Sequence, residues 1–161
     1  MTKQITVKVV LIVNVKGEVI VDANQIDVWN ALNDPEVLKK ATPGCKVLNE
    51  IAPDSYKAEI VLGIAAVRGE YEAEINIFEK SEPNRYRLVM KADSNMGFLE
   101  GNAVVELDYN HPNTTIRYDG EAQVGGLIAG VGQRILSGIA KMIVKDFFKK
   151  IAKETKSRSV S

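Results

Sequence analysis

Residues Gly125–Ile151, GGLIAGVGQRILSGIAKMIVKDFFKKI, are the one stretch long and periodic enough to make a long helix. Ile128, Val131, Ile135, Ile139, Met142, Phe147 and Ile151 recur at helical steps on one stripe, widened by Leu127, Leu136, Ile143 and Phe148. The first half is rich in small residues: Gly125, Gly126, Gly130, Gly132, Ser137 and Gly138. An interior Gly costs a helix about 1 kcal/mol relative to Ala. A close approach or open space is therefore expected beside these glycines. A chain ending this way is expected to curve its remaining strands around the helix, with function in the gap between them.

The segments before the helix fit that frame. Ile5–Val21 alternates as one long strand or two, with Gly17 a candidate bulge. Val10 and Ile12 break the alternation, which suggests that another subunit covers this part. Asn24 and Asp34-Pro35 each start a short helix, with Ile26 and Trp29 facing inward from the first. From Cys45 to Val124 strand follows strand: Cys45–Ile51, Tyr56–Ile64, Glu70–Phe78, Arg85–Ala92, Phe98–Tyr109 and Thr114–Val124, with turns between. The acidic face of Glu70–Asn76 and the basic face of Arg85–Lys91 are expected to lie opposite each other on adjacent strands. The fold class is thus α+β, an antiparallel sheet of about seven strands around one long C-terminal helix. Residues 1–154 read as a single domain and 155–161 as a disordered basic tail.

Charge balances at zero overall but not locally: from Gly125 onward eight Lys/Arg stand against two Asp/Glu. That end can complement the helix dipole and aid solubility, or meet an anionic membrane surface or acidic partner. Lys145, Lys149, Lys150 and Lys153 are the candidate membrane-surface residues. Nothing global points to nucleic acid. A single cysteine excludes an intrachain disulfide framework and fits a reducing compartment. No apolar run approaches the ~18 residues of a membrane span, and no signal-peptide pattern opens the chain. A cytoplasmic protein is expected, at most peripheral at the inner face of the membrane.

Catalytic arrangements are weak. His111 sits before Pro112 in a hairpin turn, and one His with one Cys makes neither a triad nor a metal site. Cys45 reads as a small buried side chain rather than a nucleophile. Asp93, Glu100 and Asp119 become acid–base candidates only if the strand parity slips by one. No metal or cofactor is called for. All five tyrosines, Tyr56, Tyr71, Tyr86, Tyr109 and Tyr118, fall on the inward parity. They either sit at strand ends with their tips in water or line an apolar cavity that carries a few hydroxyls.

The order of elements resembles the helix-grip fold of START domains, the birch pollen allergen and polyketide cyclases. Within that superfamily, Val28-Trp29-Asn30-Ala31-Leu32-Asn33-Asp34-Pro35 with Pro43-Gly44-Cys45, then Arg68-Gly69 and Val124-Gly125-Gly126 through Gln133-Arg134 to Phe147-Phe148, resemble the CoxG family, the G-subunit family of carbon monoxide dehydrogenase. The resemblance covers about residues 16–152. It implies a non-catalytic accessory protein for molybdenum hydroxylases of the CO dehydrogenase type. Its expected role is in their membrane recruitment or maturation, with a hydrophobic ligand such as a quinone or lipid. Expected partners are that ligand, a molybdenum hydroxylase or its ATPase maturation factor, an anionic membrane and a second copy of the chain. The residues expected to surround the ligand are Tyr71, Tyr86, Met90, Phe98, Tyr118, Gly126, Ile128, Gly130, Val131, Arg134, Ile135 and Gly138. An adaptor with a vestigial pocket and a cyclase- or hydrolase-type enzyme are the competing readings.

Overall fold

The computed structural model describes residues 10–159, with side chains through Lys156. In chain order the elements are β1 (Val10–Val21), α1 (Gln25–Leu32), α2 (Pro35–Ala41), β2 (Cys45–Ala52), β3 (Ser55–Leu62), a 3-10 turn at Ala65–Val67, β4 (Gly69–Ser81), β5 (Arg85–Ser94), β6 (Gly97–Asn110), β7 (Asn113–Gly125), a second 3-10 turn at Gly126–Val131, and α3 (Gln133–Ser159). The strands form one antiparallel sheet in the order β1-β7-β6-β5-β4-β3-β2. With α1, α2 and α3 this is the expected helix-grip architecture.

Local chemistry explains the element boundaries. The Asn24 side chain accepts the Asp27 N–H at 2.9 Å, and Asp34 accepts that of Glu36 at 2.9 Å. Pro35 opens α2, where its missing N–H costs nothing. α1 buries Val28, Trp29, Ala31 and Leu32, whereas Ile26, expected inside, is 61% exposed.

Two glycines overturn expectations. Gly17 is no bulge, because β1 pairs with β7 in unbroken register from Val10 to Val21. It faces Tyr118, and a Cβ there would strike the Tyr118 hydroxyl and ring. Its missing side chain lets that ring lie across β1. Gly132, at φ +98°, breaks the long helix expected from Gly125. Its glycine-rich start is a 3-10 turn, and α3 proper begins at Gln133. At the other end α3 runs on to Ser159, past the expected limit of 154. Thr155 there is buried, its hydroxyl donating to the Ile151 carbonyl at 2.7 Å. Residues 5–9 of the expected first strand and 160–161 of the expected tail lie outside the described residues.

On the outer face the charge rows are mixed. Glu74 stands between Lys57 and Lys91 as expected, but Glu72 stands between Glu59 and Asp93, so like charges meet across that row. Val10 and Ile12 also lie on this face, 37% and 48% exposed.

Candidate functional site

The backbone of α3 runs close to β1, α1 and α2, while the middle strands stand further off. What fills the space between decides whether a site exists. Below, α1, α2 and the C-terminal half of α3 pack Trp29, Tyr86, Val105, Ile116, Phe148 and Ile151 into one cluster. Trp29 meets Tyr86 edge-on at 5.6 Å, and Tyr118 stacks on Phe148 at 4.5 Å with 11° between the rings. Above, the glycine-rich turn and the start of α3 pack Ile128, Val131 and Leu136 against Val13, Tyr71 and Val124.

Between the two clusters the inward face of the sheet is paved with small side chains. One transverse row reads Ala58, Ala73, Ala92 on β3, β4 and β5. The next reads Met90, Gly101, Ala122, Val13, and the one below it Leu88, Ala103, Gly120, Val15, each on β5, β6, β7 and β1. Met90, Ala103, Ala122 and Val15 face inward and stay half-buried, yet they belong to neither packed cluster. The same holds for Ile143, which lies along α3 between the upper and lower contacts. A Cβ built on Gly101 would have only sheet atoms as its nearest neighbours, at 3.5 Å and beyond. The inward face of β5–β7 is thus a shallow apolar hollow, half-buried and covered by neither cluster, on the side of the sheet where α3 lies.

The residues expected around the ligand divide accordingly. Met90 lies on the floor. Tyr86 and Tyr118 stand in the lower wall, Tyr71, Ile128 and Val131 in the upper. Phe98 belongs to the opposite face, because it pairs with Gly125 and covers the place where a Gly125 side chain would be. Gly126 is used for close approach to Gly97 instead of for space, at φ +80°. Gly130, Arg134, Ile135 and Gly138 are exposed. The restart of the helix at Gln133 sets its phase, turning Leu136 inward and Ile135 out. Apart from Met90, the floor residues were missed. Their signal is small side chains on the inward parity of successive strands: Ala73, Ala92, Gly101-Asn102-Ala103 and Gly120-Glu121-Ala122.

Electrostatics inside the walls is that of neutral hydroxyls. Burial raises the Tyr86 phenol well above its ordinary value. Burial also raises that of Tyr71, whose hydroxyl donates to the Val67 carbonyl at 2.6 Å. Tyr109 ends in water, its hydroxyl 2.8 Å from His111 Nδ1 in the exposed turn. Asp93, Glu100 and Asp119 all stand exposed on the outer parity, opposite the hollow.

Beside the hollow, a cleft of about 500 Å³ opens between α2, the start of β2 and α3. Lys39, Lys40, Lys46 and Lys150 line it against the single carboxylate of Glu36, and Cys45 reaches it as well. Cys45 is half-buried; burial pushes its thiol up and the Lys39 charge draws it back down. Lys145, Lys149 and Lys153 stand exposed on α3, and Lys150 pairs with Asp146 at 3.0 Å. Among the described residues, no helix is long and apolar enough to cross a membrane.

Sheet and gripping helix give the chain a START-like fold. A START superfamily protein from Mycobacterium smegmatis shares the fold at a TM-score of 0.69, with 11% identity, over 89% of this chain and 97% of its own. A protein from Thermus thermophilus shares it at a TM-score of 0.65, with 12% identity, over 91% of this chain and 99% of its own. A conserved protein from Geobacillus kaustophilus is similar at 39% identity and a TM-score of 0.87, over 90% of this chain and 96% of its own. The CoxG family, the G-subunit family of carbon monoxide dehydrogenase, matches residues 17–156, and the chain belongs to that family. No curated protein matches it.

Proposed function

We propose that this protein is a non-catalytic accessory protein that holds a hydrophobic small molecule, quinone- or lipid-like, in the hollow between α3 and the sheet. The observation that carries this reading is the floor of Met90, Gly101, Ala103, Gly120 and Ala122, inward-facing and half-buried between two packed clusters. An apolar enclosure with a few hydroxyls near its ends suits a largely apolar guest with a polar tip. The acid–base candidates on the outer face favour binding over catalysis. Family membership supports a role beside an oxidoreductase of the CO dehydrogenase type, with that enzyme or its maturation ATPase as partner.

The test is thermal denaturation with menaquinone-like and fatty ligands, alongside native mass spectrometry of the purified protein. A binder present at a hundred times its Kd should add about 2.7 kcal/mol of stability. Ala103→Leu, which fills the floor, should remove the ligand-induced shift while the variant still folds. No shift with any ligand and no co-purifying lipid would overturn the reading.

A further inference from the structure

β1 has β7 on one side and, among the described residues, no strand on the other. The tight β6–β7 hairpin closes on the pair Asn110 and Asn113, which sets the residues of β7 that bond to β6 and those that bond to β1. Carried along the register, the odd-numbered residues of β1 bond to β7, and the even-numbered ones turn their backbone N–H and C=O to the free edge. Gln133 agrees with this parity, its Nε2 donating to the Ile12 carbonyl at 2.8 Å. Further along, Asn14, Lys16, Glu18 and Ile20 are all exposed. Edge strands are usually blunted by proline, a bulge or an uncompensated lysine. β1 has neither proline nor bulge, and its one lysine, Lys16, stands two residues from Glu18.

We propose that this edge binds a second copy of the chain, β1 against β1 and antiparallel, about a two-fold axis at Gly17. Lys16 then stands opposite Glu18 of the second copy, and Glu18 opposite its Lys16. Asn14 and Ile20 make the flanking pairs, and each pair exchanges two N–H···O bonds. Charge selects this register over its neighbours. An axis at residue 16 would set Lys16 against Lys16, and an axis at residue 18 would set Glu18 against Glu18. The pairing also prolongs a row that the sheet already has. Arg85, Glu106, Arg117 and Glu18 stand side by side on the outer face of β5, β6, β7 and β1, alternating in sign. Arg85 reaches Glu106 at 3.6 Å, and Arg117 reaches Glu18 at 3.3 Å. At the edge the row stops on a carboxylate. The second copy adds its Lys16 and then its Asp119, the residue across from Lys16 on β7, so the alternation runs through the junction. Ile12 and Ile20 are 48% and 67% exposed on the same face, and the pairing brings each diagonally within reach of the other across the two copies.

The test reads the oligomeric state of the full chain by sedimentation equilibrium and the edge itself by amide hydrogen exchange. The unaltered protein should dimerise, and the amides of Lys16 and Glu18 should exchange more slowly as concentration rises. Those of Val15, Gly17 and Val19, already bonded to β7, should not depend on concentration. Lys16→Glu and Glu18→Lys should each weaken self-association about tenfold or more, because each puts like charges in both central pairs. Mixed in equal amounts, the two variants should associate again as a heterodimer, since every central pair is then opposite in sign. A variant that had merely lost its fold would not recover on mixing. A monomer at the highest soluble concentration would overturn the proposal, as would a dimer whose edge amides exchange at an unchanged rate. Single variants that associate as tightly as the unaltered protein, or a mixture of folded variants that stays apart, would overturn it equally.

Discussion

At the scale of single residues, the missing side chain of Gly17 holds the lower wall together. It lets Tyr118 lie across β1 and stack on Phe148. Gly17→Ala should therefore destabilise the protein by about 1–3 kcal/mol, the usual result of overpacking, measurable by urea denaturation. Removing the hydroxyl the new methyl strikes, in Gly17→Ala/Tyr118→Phe, should return part of the loss. That non-additivity would mark the pair as coupled. Tyr56 supplies a second handle. Burial, then its hydrogen bond to Glu50 and the neighbouring carboxylate charges, push its phenol up to about 12 from 10.0. The unfolded chain ionises first, so this contribution is whole below pH 10 and is lost as pH rises from 10 through 12. The melting temperature should fall more steeply across that window in the unaltered protein than in Tyr56→Phe.

At the scale of elements, the glycines of the C-terminal segment do three different jobs. Gly126 meets the Gly97 backbone, Gly132 breaks the helix, and Gly138 sits on the exposed face of α3 with open space beside it. Gly138→Ala should raise stability by about 0.5–1 kcal/mol and leave ligand binding unchanged, as read by melting with and without ligand. Gly132→Ala should lower stability, because φ near +98° strains any residue with a Cβ. The strands were legible because alternation and turn residues are local signals; β3 through β7 stand within a few residues of their expected places. The family was legible from Pro43-Gly44-Cys45 and the glycine-rich run. The facing of Ile135 was not, because helix phase depended on where Gly132 stopped the preceding turn. Phe98 was legible and misassigned: the alternation that turns Tyr109 inward turns Phe98 outward on the same unbroken strand. The floor escaped notice because small residues carry little signal until the register lines them up.

At the scale of the molecule, α3 presents an outward ridge that begins apolar and ends basic. Ile135 and Met142 are 54% and 51% exposed, Leu127 in the turn before them is 70% exposed, and Lys145, Lys149 and Lys153 continue the ridge. Such a surface is expected to bind anionic vesicles and to release them as salt rises, each Lys near the membrane contributing about 1 kcal/mol. Ile135→Ser with Met142→Ser should weaken co-sedimentation with phosphatidylserine vesicles. Binding unchanged by both salt and these substitutions would remove the membrane role.

The order of strands also bears on how the chain comes into being. β1 is made first, yet among the described residues its neighbour in the sheet is β7, the last strand to be made. On the ribosome the opening segment must wait, its edge bare, until the final hairpin has emerged. The lid of the hollow comes later still. Fragments cut short before that point would carry an oily trough and an unmatched strand, the combination from which clumping starts. The vulnerable interval runs from the emergence of β1 to that of α3, and stop codons placed before β7 should yield aggregates rather than soluble pieces.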